Sequence, residues 1–155
     1  MAGRRDQIKL SDEEVSAFLE EQRVVVCATN GVKGWPHLMP LWYVIRDGEL
    51  WAWTFAKSQK VKNLERDPRA TLQVEAGLEY AELRGVMLRC GVEIHRDVDT
   101  VVDFAMELVA RYSGRGPEHD GAREAFRAQA PKRVALEFRE RDRVTWDHRK
   151  LGGTG

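Results

Sequence analysis

Three stretches of this chain gather residue types able to do chemistry. The first is Trp53-Thr54-Phe55-Ala56-Lys57-Ser58-Gln59-Lys60-Val61-Lys62-Asn63-Leu64, where apolar alternation gives way to helical spacing. A strand ending at Phe55 and a helix starting near Ser58 would leave free N–H groups and a helix dipole that attract anions, with the Ser58 hydroxyl beside them. Lys57, Lys60 and Lys62 add charge in the first turns. Lys60 and Asn63 share a face, while Val61 and Leu64 turn inward. This is a phosphate-binding arrangement; the competing reading is an ordinary N-cap and a solvated basic helix face. The second stretch is Pro36-His37-Leu38-Met39-Pro40-Leu41-Trp42, an apolar strand with a proline inside it and a tryptophan at its end. It offers a floor for a planar aromatic ligand, or simply core. The third runs from Arg141 to Leu151 and sets Arg141, Arg143, Arg149 and Lys150 around Trp146. It suits an acidic ligand tail, a subunit interface, or a solvated end.

Other chemistries find no support. There is no GxGxxG, Walker loop, CxxC, HExxH or nucleophile elbow. His37, His95, His119 and His148 are scattered, so no metal site is expected. Asp147 and His148 are adjacent, and on a strand they point to opposite faces, so they make no dyad unless the strand has ended.

The elements that must position these residues follow from periodicity. Leu10 to Gln22 reads as a helix with Ser11 as N-cap and Glu14 completing a capping box. Strands are expected at Arg23 to Thr29, Pro36 to Arg46, Glu49 to Phe55, Arg69 to Ala76, Tyr80 to His95, and Arg133 to Phe138 resuming at Arg143 to Asp147. Pro40 marks its strand as an edge or a bulge. Both faces of that strand are apolar, so a cover is expected on each. Gly85 and Gly91 suggest bulges or bends. Helices are expected at Lys57 to Asp67, Asp97 to Tyr112 and Ala122 to Gln129, with a loop over Ser113 to Asp120 and a frayed tail at Gly152 to Gly155. The six strands form an antiparallel meander, closing into a small all-β-dominated barrel with peripheral helices.

Composition agrees. The 155 residues suit one domain spanning 1–155, frayed from about 150. Twenty-five basic and 25 acidic side chains balance to zero, which disfavours nucleic acid as a partner. No apolar run approaches a membrane span, and Met1 to Leu10 is polar, so a cytoplasmic protein is expected. Cys27 and Cys90 read as buried free thiols.

Together the three stretches resemble the pyridoxamine-phosphate-oxidase-like split barrels that bind flavins, and within them the deazaflavin-dependent oxidoreductases typical of actinobacteria. The resemblance is carried by Gly34 to Trp42, by Ser58 to Arg69, and by Trp146 to Gly153. It implies a six-stranded split β-barrel and a homodimer with two cofactor sites at the interface. By resemblance the cofactor phosphate goes to Ser58 and Lys60, with Lys57, Gln59, Lys62 and Asn63 nearby. The ring goes along Leu38, Met39, Pro40 and Trp42, with the backbone near Thr54. Trp146 and Arg149 are the C-terminal candidates, Trp146 reaching the pocket from the other subunit. Coenzyme F-420 is favoured over FMN because its several negative charges match the basic C-terminal residues. The implied activity is hydride transfer between reduced F-420 and a small organic acceptor. An FMN-dependent oxidoreductase, a non-catalytic flavin, deazaflavin or haem module, and a structural dimer with an empty cleft stay open. The substrate is undefined; His37, Tyr80 or water could supply its proton.

Overall fold

The computed structural model describes residues 3–114 and 121–152. The loop expected over Ser113 to Asp120 falls mostly outside them, as do His119 and the tail beyond Gly152. Seven antiparallel strands form one sheet: β1 (Val24–Asn30), β2 (Pro36–Trp42), β3 (Val44–Arg46), β4 (Glu49–Phe55), β5 (Arg69–Ala76), β6 (Arg84–His95) and β7 (Arg133–Asp147). Their order is β2-β1-β5-β6-β7-β4-β3. The two end strands are consecutive in the chain, with only Tyr43 between them, so the curled sheet closes through its own backbone.

This junction turns the expected six strands into seven. Trp42 pairs with Val24 of β1, whereas Val44 pairs with Trp51 of β4. Tyr43 belongs to neither ladder, and a buried backbone group without a partner is costly. The hydroxyl of Tyr112 fills the gap: it accepts from the Tyr43 N–H at 2.9 Å and lies 2.9 Å from the Tyr43 carbonyl. The Tyr43 ring is fully buried, and its own hydroxyl donates to the Leu19 carbonyl. Thus the split is pinned between two helices, α2 (Asp12–Glu21) and α4 (Val98–Ser113).

The local signals place the helices. Ser11 and Glu14 make the reciprocal capping box of α2. Asp97 caps α4 by accepting from Thr100 N–H. Helix α3 (Gln59–Arg66) starts after Ser58, whose side chain accepts from Val61 N–H. Helix α5 spans Ala122–Gln129, and a four-residue helix α1 (Arg4–Gln7) lacks any periodic signal in sequence. The barrel interior is filled by alternate residues such as Val25, Leu50, Leu72, Val86 and Leu136, plugged by Phe18 of α2 and Val61 and Leu64 of α3. A second apolar layer packs α4 through Val101, Val102, Phe104 and Leu108 outside β3, β4 and β7. Both cysteines are free and buried, and burial pushes their thiols up to about 12.

Three other expectations change. Tyr80–Glu82 is a 3-10 turn, and β6 begins at Arg84. The strand expected to pause after Phe138 runs unbroken to Asp147, because its charged middle pairs with β6 while its side chains point to water. The one register shift in that pair lies between Arg89 and Cys90. Gly85 and Gly91 instead provide seats: a Cβ at Gly85 would stand 2.3 Å from the Trp146 ring, and one at Gly91 would stand 3.0 Å from the Arg141 guanidinium.

Candidate functional site

Strand β2 forms one end of the sheet, the edge rather than the bulge of the two readings of Pro40. Among the described residues the covers expected over its two faces are incomplete: Leu41 packs against the core and Trp42 meets Tyr112, but much of the strand stays open. Leu38 is 58% exposed, Met39 44% and Trp42 56%. Large apolar side chains left open on a sheet edge mark a surface that meets something else. Trp42 stacks flat on Tyr112, with centroids 4.5 Å apart and planes 9° apart. Beside it lies an apolar cleft of about 450 Å3 lined by Val24, Pro40, Leu41, Trp42, Trp53 and Leu108. Its size and walls suit a planar ring system.

The basic junction lies where β4 turns into α3, just past Trp53 of the cleft. The turn is tied by Ser58 N–H to Phe55 O at 3.0 Å and by Ala56 N–H to Lys132 O at 2.9 Å. Ser58 caps the helix, and the N–H groups of Gln59 and Lys60 are the free donors that a helix start carries. The lysines divide sharply. Lys57 and Lys62 are exposed, whereas Lys60 is only 5% exposed. Its Nζ donates to Thr54 Oγ1 at 2.9 Å, and Thr54 is buried as well. Among the described residues no carboxylate pairs with it. An ammonium has three donors, so two find no protein acceptor. Burial holds the Lys60 pKa below its ordinary 10.5. The start of α3 thus carries open N–H groups and, on its buried side, a cation without a counter-charge, both of them groups that suit a phosphate.

The remaining residues are placed as follows. Asn63 is fully buried; its amide donates to Thr29 Oγ1 and its carbonyl accepts from Gln59 Nε2, so it orients the helix. Trp146 is half-buried, lying across Gly85 on the outer face of the sheet. Arg149 grips the buried Asp147 through Nε and Nη2, at 2.9 and 2.7 Å. That bond holds the Asp147 carboxyl below its usual range. His148 is turned to the Tyr80 carbonyl, 2.9 Å from its Nδ1, so Asp147 and His148 make no dyad. The buried Nδ1 of His37 has no partner.

The structure also revises the charge argument. Arg143 pairs with Glu140 and Asp12, Arg149 with Asp147, and Lys150 with Glu14. Three of the four C-terminal cations are therefore compensated within the chain, Arg149 by a near neighbour, Lys150 by an acid from the other end of the chain, and Arg143 by both kinds. Arg141 is not. It lies on Gly91 and lines a groove of about 660 Å3 with Arg69, Arg89, Thr29 and Thr71, opening beside Pro36 at the start of β2. Within that groove Asp142 neutralises Arg89 and Asp67 neutralises Arg69, which leaves Arg141 without a carboxylate among the described residues. Sequence reasoning missed Arg133. Paired across from Phe55, its guanidinium lies 3.5 Å from the Phe55 ring centre and 4.7 Å from that of Trp53. Nothing local announces this, since β4 and β7 are distant in sequence. His95, Glu93 and Glu137 also cluster, but Arg139 bridges the two carboxylates there.

Comparison with known proteins agrees with this architecture. The sequence profile described as pyridoxamine 5'-phosphate oxidase matches residues 11–144. The crystal structure of the conserved hypothetical protein Rv2991 from Mycobacterium tuberculosis is 36% identical, covering 99% of this chain and 95% of that one, with a TM-score of 0.88. An F-420 reductase is 23% identical over 83% of this chain and 94% of its own, with a TM-score of 0.63. HutZ, the heme storage protein from Vibrio cholerae, is 12% identical over 86% and 94%, with a TM-score of 0.67. These last two share the fold alone. No curated protein matches. No helix among the described residues is long and apolar enough to cross a membrane.

Proposed function

Because the chain belongs to the pyridoxamine 5'-phosphate oxidase family, we propose that it is an oxidoreductase that holds a phosphorylated flavin-type cofactor, coenzyme F-420 before FMN. The observation that carries this reading is the buried Lys60 ammonium, with one acceptor for three donors, beside the start of α3. Lys60, Ser58 and the helix N–H groups would hold the phosphate, with Lys57 at the rim. The strand from Leu38 to Trp42 would floor the ring, and Trp53 would wall it. When bound, such a cofactor supplies the two-electron hydride chemistry itself. The chain aligns the acceptor against the ring, and that orientation lowers the barrier by several kcal/mol.

F-420 is favoured for two reasons: the fold is shared with an F-420 reductase, and a groove in which Arg141 has no paired acid among the described residues opens next to β2. A longer anionic cofactor needs such a groove and FMN does not. FMN is the second reading, supported by the internal compensation of Arg143, Arg149 and Lys150.

The reading includes a homodimer. The outer sheet face displays Val24, Leu38 and Trp42, with Trp146 beyond them, and a second copy packed there would bury them and let Trp146 reach the partner's cleft.

The test is titration of cofactor-free protein with F-420 and with FMN, followed by absorbance, alongside light-scattering mass. Binding of F-420 by a dimer, with hydride delivered to an enone or quinone, is expected. Binding of FMN alone reverses the cofactor; binding of neither refutes the reading.

A further inference from the structure

We propose that Arg133 anchors the anionic group of the molecule reduced in the apolar cleft, and that this molecule is a planar, largely apolar compound bearing a carboxylate. The inference rests on the redox reading above and adds the substrate class.

Arg133 is held differently from the other arginines near the cleft. Arg23 and Arg111 reach the same region through Tyr112 but are committed to backbone carbonyls and to Glu20. The Arg133 guanidinium touches only ring faces, those of Phe55 and Trp53. Among the described residues no carboxylate and no carbonyl pairs with it. Burial alone acts on its charge. Its five N–H donors are half-exposed and have no protein acceptor among the described residues. The fork is therefore open to an oxyanion.

Position then selects the ligand. Trp53, whose face Arg133 covers, is also a wall of the apolar cleft, and Phe126 meets it edge-on at 5.7 Å. A cation stacked on one wall of an apolar slot selects an amphipathic ligand: flat body in the slot beside the cofactor ring, charge at the Trp53 end. The phosphate of the cofactor already has its own donors at Lys60 and the start of α3. Two aromatic faces fix the guanidinium plane, so little freedom is lost when it meets a planar carboxylate in the two-bond fork geometry.

The experiment uses cofactor-free full-length protein and two defined probes, 2-naphthoate and neutral 2-naphthalenemethanol, measured by calorimetry. The wild type should bind naphthoate roughly 10- to 100-fold more tightly than the alcohol, the range expected of one charged hydrogen-bonded contact. Arg133→Met keeps the hydrocarbon packing on the rings and should erase that preference, leaving alcohol binding in place. Arg133→Lys should recover part of it, and decides the matter if the methionine variant does not fold. Lys132→Met, which removes a neighbouring exposed cation, should change nothing. An undiminished naphthoate preference in the folded Arg133 variants would overturn the proposal, and so would a wild type that binds neither probe. Failure here is separable from failure of the redox reading. Protein that binds F-420 or FMN but ignores naphthoate loses the anchor alone. Protein that binds naphthoate through Arg133 but takes no cofactor loses the redox reading.

Discussion

Replacing Lys60 by methionine should push stability and cofactor affinity in opposite directions, and the structure supplies both magnitudes. In the unliganded fold the Lys60 ammonium is buried with one hydrogen bond, to Thr54 Oγ1 at 2.9 Å, and no counter-charge. Losing that charge-assisted bond costs about 1.5–3 kcal/mol. Removing an uncompensated buried charge recovers several kcal/mol, and methionine keeps most of the stem's packing. The balance is a gain of about 0–2 kcal/mol, which for a domain of this size raises Tm by roughly 0–8 °C. Affinity should fall instead, because the phosphate loses its buried ammonium: about 1.5–3 kcal/mol, or roughly 10- to 150-fold in Kd. The pH dependence has a definite sign. Burial places the folded pKa of Lys60 below 10.5. The unfolded chain therefore binds more protons between the folded pKa and 10.5, and the wild type gains stability as pH rises through that window. The Tm advantage of Lys60→Met should shrink from neutral pH towards pH 10. The assays are thermal unfolding across pH and titration with F-420 and FMN, with the exposed Lys62→Met as the control. A Lys60→Met protein less stable than wild type by more than ~1 kcal/mol, with cofactor affinity unchanged, would make Lys60 a structural group and remove the central support for the phosphate site.

Three further outcomes follow from particular contacts. Tyr112→Phe keeps the stack on Trp42 but removes the hydroxyl that serves both backbone groups of Tyr43, so urea unfolding should show a loss of about 1–3 kcal/mol, and unchanged stability would show that the split strand needs no pin. Gly85→Ala drives a methyl into the Trp146 ring and should cost about 1–3 kcal/mol with a shifted tryptophan emission; a silent substitution would mean that Trp146 is free to move. Arg149→Met leaves the buried Asp147 carboxylate without its partner and should destabilise by about 1–3 kcal/mol at neutral pH, discounted for the exposure of the arginine. Since Arg149 lowers the folded pKa of Asp147 below 3.8, its contribution is complete above that value and is lost as pH falls through the folded pKa. Melting curves of the two proteins should therefore converge in acid; a gap that persists at pH 2 would contradict the assignment.

The strands and the start of α3 were legible from residue order alone. Alternation in Arg69 to Ala76, the Ser11 and Glu14 capping pair and the Ser58 cap express preferences that act over a few residues, and each appears where the pattern put it. Pro40 likewise announced an edge, because a missing N–H is a local fact. What a charged side chain does is settled at longer range. Helical spacing sets Lys60 and Lys62 on different sides of α3, but that the Lys60 side is buried and meets Thr54 on β4 while Lys62 faces water is decided by the fold. Arg143, Arg149 and Lys150 look like a free basic cluster until Asp12 and Glu14, from the other end of the chain, are folded against two of them. The second expected strand, Pro36 to Arg46, became β2 and β3 because Tyr112, on a distant helix, serves the backbone of Tyr43 between them. Backbone preference is written in neighbouring residues. Burial and the pairing of charge depend on segments that meet only after the barrel has closed.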